Sequence, residues 1–200
     1  MSGAALDTVV SVDTGATFED ASGNNPLTTL TSVGPNAVLT VASLTVDQDL
    51  TSQGSVSAGT LTVNGVYTLE SGASAGVSGS LTATSVIVQA GATLGGGGTV
   101  ASTVTNNGDV APSGTLSVTG NYTQTGNASL TELFGSGTLH VNSDATLSGA
   151  LNVTVNPKHP PASGATYTAV TASPITGSFT SHTAGFTLTA KQHSIQVTKQ

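Results

Sequence analysis

The chain has no cysteine and no tryptophan, and between Met1 and Pro157 it has neither lysine nor arginine. Without cysteine there is no disulfide, no thiolate metal centre and no thiol nucleophile. With three tyrosines, four phenylalanines and no tryptophan, tight sugar binding lacks its usual stacking platforms. The missing cations exclude more. Nucleic-acid affinity comes mostly from cations that release phosphate counterions, so no nucleic-acid partner is expected, and anionic membranes are disfavoured for the same reason. All ten carboxylates lie in those first 157 residues, whereas 158–200 carries Lys158, Lys191 and Lys199 and no acid. No apolar run approaches the roughly 18 residues of a membrane helix. The opening Met1-Ser-Gly-Ala-Ala-Leu-Asp7 has neither the charged nor the apolar region of a secretion signal. It reads as a fragment, as a chain whose signal was removed, or as one assembled from the cytoplasm, as a phage part is.

What is present is small and hydroxylic: 35 Thr, 25 Ser and 25 Gly among 200 residues. Short apolar-polar-apolar triplets recur at Leu39–Val41, Leu44–Val46, Leu61–Val63, Val86–Val88, Leu116–Val118, Leu139–Val141 and Leu151–Val153. Each reads as a short strand with alternate residues facing inward, and Gly, Asn, Ser and Asp between them supply turns. No helical period appears over 30–157. Longer matches overlie the triplets. Leu61-Thr-Val-Asn-Gly-Val-Tyr-Thr68 resembles Leu116-Ser-Val-Thr-Gly-Asn-Tyr-Thr123. Val86–Gly95 resembles Leu139–Ser148. Repetition without helix signals predicts coils of short strands, each coil stable only against its neighbour. Stacking places like residues one strand spacing apart, about 4.8 Å, which explains the shortage of charge.

The expected fold is therefore all-β: a parallel β-solenoid over 1–157 and a small antiparallel β cap over 158–200. Residues 1–30 read as the first coil with some capping, including a strand from Leu6 to Val12. Pro157-Lys-His-Pro-Pro161 marks the boundary, since three prolines in five residues cannot join a central strand. Beyond it Thr166–Val170, Ile175–Phe179, Phe186–Ala190 and Ser194–Thr198 read as antiparallel strands, with Lys191-Gln-His193 as a hairpin loop. Tyr167, Phe179 and Phe186 would close the last coil and cover an edge open to polymerisation.

Leu94–Val100, Val104–Pro112, Gly114–Gln124, Ala145–Val153, Tyr167–Val170 and Ile175–Phe179 together resemble the C-terminal part of bacterial autotransporter passenger domains. The resemblance covers about 60–190. It implies a right-handed parallel β-helix displayed on or released from a cell surface. The expected function is a non-catalytic structural or adhesive module, the passenger or stalk of a bacterial surface protein. Its expected partners are host-surface or matrix glycans and proteins, or further copies of itself. The alternatives are a phage or appendage fibre, placed on a virion, and a polysaccharide-active enzyme.

Candidate sites are few. Asp47 and Asp49 would share a strand face if both lay within one strand, an arrangement that polysaccharide-active enzymes use with Ca²⁺; such enzymes also need a Lys or Arg, absent here. Asp13, Glu19 and Asp20 lie near Asn24 and Asn25 as potential hard-cation ligands, without EF-hand spacing. His140 should face outward between Leu139 and Val141. His182 and His193 could meet across the tail hairpins, and His159 lies among the prolines. Gly95–Gly98 lacks the Lys-Ser/Thr of a phosphate loop and reads as a tight corner. Asn121, Asn127 and Asn152 begin Asn-x-Ser/Thr sequences. Thr60-Leu-Thr62, Thr82-Ala-Thr84 and Thr103-Val-Thr105 are too unevenly spaced for an ice-binding face. No residue is assigned as catalytic, cofactor-binding or metal-ligating.

Overall fold

The computed structural model describes residues 4–12 and 24–200. Strands make up 61% of the described residues, with no α-helix among them. They wind into a parallel β-solenoid of about six turns, as the triplets predict.

Each turn contributes to three stacked faces. On the first, Leu30–Val33, Leu50–Ser52 and Val66–Leu69 lie in parallel. They continue through the ends of Ser74–Val88 and Thr99–Asn106 to Tyr122–Gln124 and Ala145–Leu147. The second face takes the starts of Val38–Val46, Ser55–Val63 and Ser74–Val88, then Thr93–Gly96, Asp109–Pro112, Ser129–Leu133 and Ala150–Thr154. The third takes the ends of Val38–Val46 and Ser55–Val63 and the middle of Ser74–Val88. It then adds the start of Thr99–Asn106, Thr115–Val118, Thr138–Val141 and Thr166–Thr171. Both apolar residues of every triplet are buried. Alternation along each strand thus supplies a continuous axial core, and hydrophobic burial of this column is what holds one turn on the next.

The faces keep register while the corners vary in length. Asp47 meets Asn64, 17 residues on, whereas His140 meets Thr171, 31 residues on. The first of the two sequence matches is therefore a multiple of a shorter, uneven unit. Leu61 and Leu116 both lie on the third face, three turns apart. Val86 and Leu139 do not correspond: they sit on the first and third faces. Alternating apolar residues look alike on any face, so that match reflects strand chemistry and not position.

The corner from second to third face is tight. A Cβ on Gly59, Gly79 or Gly98 would strike the carbonyl oxygen of Ala42, Gly59 or Gly79 on the turn below. Gly96 has φ +118°, a conformation other residues avoid. This is the role read for Gly95–Gly98.

The first stretch forms two strands, Ala4–Leu6 and Val9–Val12, each paired in parallel with the next turn. The tail requires a correction. Thr166–Thr171, Ile175–Gly177 and Ser181–His182 pair in parallel with the preceding turn, so coiling runs past Pro157. Only Ser194–Lys199 reverses, pairing antiparallel with Thr166–Thr171 on one side and Phe186–Lys191 on the other. Strand propensity carries no direction; the open edge of the previous turn supplies it. The prolines lie in an exposed arch over 155–165. The expected hairpin loop is present, with Lys191 opposite Ser194.

Candidate functional site

Stacking converts uneven spacing in sequence into a regular column in space. On the outer side of the first face, Thr51 lies over Thr68, then Ile87, Thr105, Thr123, Thr146 and Thr176. Neighbours are one strand spacing apart, about 4.8 Å. Thr146 and Thr176 are exposed and bridge hydroxyl to hydroxyl at 3.1 Å. The Thr-x-Thr motifs are divided: Thr60, Thr62 and Thr82 belong to the third face and only Thr103 and Thr105 to the first.

Asp47 and Asp49 sit in a corner between the third and first faces and not on a strand. Asp47 Oδ1 accepts from Asn64 Nδ2 at 3.3 Å, and Asp49 Oδ1 accepts from the Val66 N–H at 2.8 Å. Each ties its turn to the next. Asp13, Glu19 and Asp20 lie outside the described residues. His140 faces outward as expected, with Nδ1 2.6 Å from Thr171 Oγ1. His182 donates through Nε2 to the Phe186 carbonyl at 3.0 Å. His193 lines a groove with His140, away from His182, and His159 is exposed in the arch. Among the described residues no three His, Asp or Glu side chains form a group able to hold a metal. Asn121, Asn127 and Asn152 are exposed. Asn121 accepts from Ser143 Oγ at 2.7 Å.

Two buried polar constellations escaped the sequence reading. In the first, Asn106 and Gln124 stack inside the first face, both buried. Asn106 Nδ2 donates to Tyr122 Oη at 3.0 Å and to the Ser129 carbonyl at 2.8 Å. Tyr122 Oη donates to Gln124 Oε1 at 2.9 Å, and Gln124 Nε2 donates to the Ser148 and Ala150 carbonyls at 2.8 and 3.0 Å. Every side-chain group here is engaged, which is what makes a buried amide tolerable. Burial also pushes the Tyr122 phenol well above its ordinary value. Tyr67, its counterpart three turns earlier, is equally enclosed, with Ser52 the side chain beside its hydroxyl.

The second lies where the cap meets the rod. Glu132 occupies the last inward position of its strand and is 1% exposed. Tyr167 Oη donates to its Oε2 at 3.1 Å, while Oε1 has no partner. Desolvation pushes its carboxyl up to about 9, against partial relief from the Tyr167 hydrogen bond and the Leu139 backbone. Phe134 meets Tyr167 edge-on at 4.6 Å and stacks on Phe186 at 5.7 Å, and Lys199 Nζ lies 5.4 Å from the Phe186 ring centroid. Parity signalled these residues: Val104-x-Asn106, Tyr122-x-Gln124 and Leu130-x-Glu132 all place the polar residue inward.

No family model matches the chain, and no curated protein matches it in sequence.

Proposed function

We propose that the chain is a non-catalytic rod, the passenger or stalk portion of a bacterial surface protein of autotransporter type, acting outside the cell through weak, repeated polar contacts. The observation that carries this reading is the threonine column of the first face. It offers a hydroxyl on every turn but one, where Ile87 intervenes, along a stiff scaffold, so affinity accrues from number and not from one deep pocket. Its natural ligands are extended surfaces with hydroxyl or amide groups, such as glycans and matrix proteins. The mechanism is mechanical: burial and hydrogen bonding fix the rungs, and the rungs fix the contacts.

The test compares the monomeric chain with a tetramer on streptavidin over immobilised glycans and matrix proteins. Retention should be measurable for the tetramer and weak for the monomer. Replacing Thr105, Thr123 and Thr146 together by valine keeps the β-branched shape and should remove it. Release of soluble products from a polysaccharide panel, or tight monomer binding unaffected by the valines, would overturn the reading.

A further inference from the structure

We infer that Glu132 is a proton-dependent latch that holds the C-terminal cap on the rod when neutral and releases it when ionised. The carboxyl is enclosed where two separate parts of the chain converge: its own strand Ser129–Leu133 with the Phe134 that follows it, and Tyr167 at the far end of the 155–165 arch. The Tyr167 phenol donates to one oxygen and the Leu139 backbone gives partial relief, while Oε1 makes no full hydrogen bond. An ion in such a place needs a cation or several donors. The rod has no lysine or arginine. Lys199 in the cap is spent on the Gly185 and Gln200 carbonyls and the Phe186 ring. The neutral acid is the form this corner accommodates.

Ionisation leaves one route to hydration, because the lid over the carboxyl is the Tyr167–Phe134–Phe186 cluster. Admitting water parts that cluster, and with it the cap strands Thr166–Thr171, Phe186–Lys191 and Ser194–Lys199 loosen. The first-face core, built on apolar columns and the satisfied Asn106–Tyr122–Gln124 network, contains no such group. Charged or titratable groups on the elements packed around Glu132 are Tyr167, then Tyr122 and Asp109 toward the preceding turns, and His182 and Lys199 beyond Phe186. Burial and the adjoining carboxyl both push the Tyr167 phenol up, so it stays a donor across the window.

The experiment is a titration of the glutamate-labelled chain by carboxyl NMR, paired with hydrogen exchange from pH 7 to 10 corrected for intrinsic rates. Only Glu19, Glu70 and Glu132 report. One resonance should titrate far above the other two and vanish in Glu132→Gln. Exchange in the three cap strands should rise at least tenfold with pH in the native chain, while Val66–Leu69 stays protected. In Glu132→Gln, which leaves Asp109, His182 and Lys199 in place, the rise should be absent. Tyr167→Phe, which keeps the ring and removes the donor, should move the Glu132 titration higher. Three ordinary glutamate titrations, the same pH response in Glu132→Gln, or simultaneous opening of Val66–Leu69 would each overturn the latch.

Discussion

Side chains in this molecule are judged by whether they face the axis. Asn106 does, and its amide joins Tyr122 to a backbone carbonyl on a neighbouring strand. Asn106→Leu removes the bonds to Tyr122 Oη and the Ser129 carbonyl and leaves the Gly108 N–H without its acceptor, and should cost about 2 kcal/mol in chemical denaturation. Glu132 sets a pH dependence of unusual sign. Its folded value near 9 exceeds the ordinary 4.5, so the native state binds the extra proton. Stability should fall as pH rises from about 4.5 to about 9 and then level. Glu132→Gln should flatten that slope and, at neutral pH, stabilise by on the order of 3 kcal/mol, read from denaturation midpoints at pH 5, 7 and 9. Strand parity made these inward positions legible, because in a stack with one buried side every second residue is enclosed whatever its polarity. Asp47 and Asp49 lie in a turn, the role that their sequence favoured over a shared catalytic face. Their spacing matches one strand face only if a strand runs through them, and the chain turns there.

Strands and corners divide the work of the element scale. Strands must match the previous turn residue for residue, and corners must clear it. Gly98→Val places a side chain against the Gly79 carbonyl and should destabilise by about 3 kcal/mol, measurable as a lower melting temperature without loss of strand signal in circular dichroism. The 155–165 arch is bound by no such rule. Ten added glycine and serine residues there should cost less than about 1 kcal/mol in the same assay. The triplets revealed strands and their inward residues because burial imposes period two. They did not reveal direction. Thr166–Val170 and Ile175–Phe179 read as antiparallel, yet Thr166–Thr171 and Ile175–Gly177 pair in parallel with the preceding turn, and only the later partner of Thr166–Thr171 is antiparallel, since pairing direction is decided by a non-local edge. Phe134 was likewise invisible as a member of the cap cluster, because its partners lie beyond the arch.

At the scale of the whole molecule, charge and shape follow from one constraint. Identical positions stack one strand spacing apart, and hydroxyls tolerate that arrangement where like charges would not. The rod therefore has no trypsin site before Lys158, which stands in the exposed arch. Trypsin should cut after Lys158 and leave 1–158 intact by mass spectrometry, even when digestion is run in urea. A shorter core fragment from trypsin would contradict the sequence order itself, whereas slow cutting at Lys158 would show the arch to be shielded. Strand-rich coiling was legible from composition and triplets; the length of a turn was not, since 17 residues complete one and 31 another. That tolerance has a historical meaning. A stack whose faces keep step while its corners absorb any length of chain accepts new segments without disturbing old ones. Descendants of such a rod drift apart in spacing and in letters while the stack persists, and the arch over 155–165 is where such a molecule writes its additions.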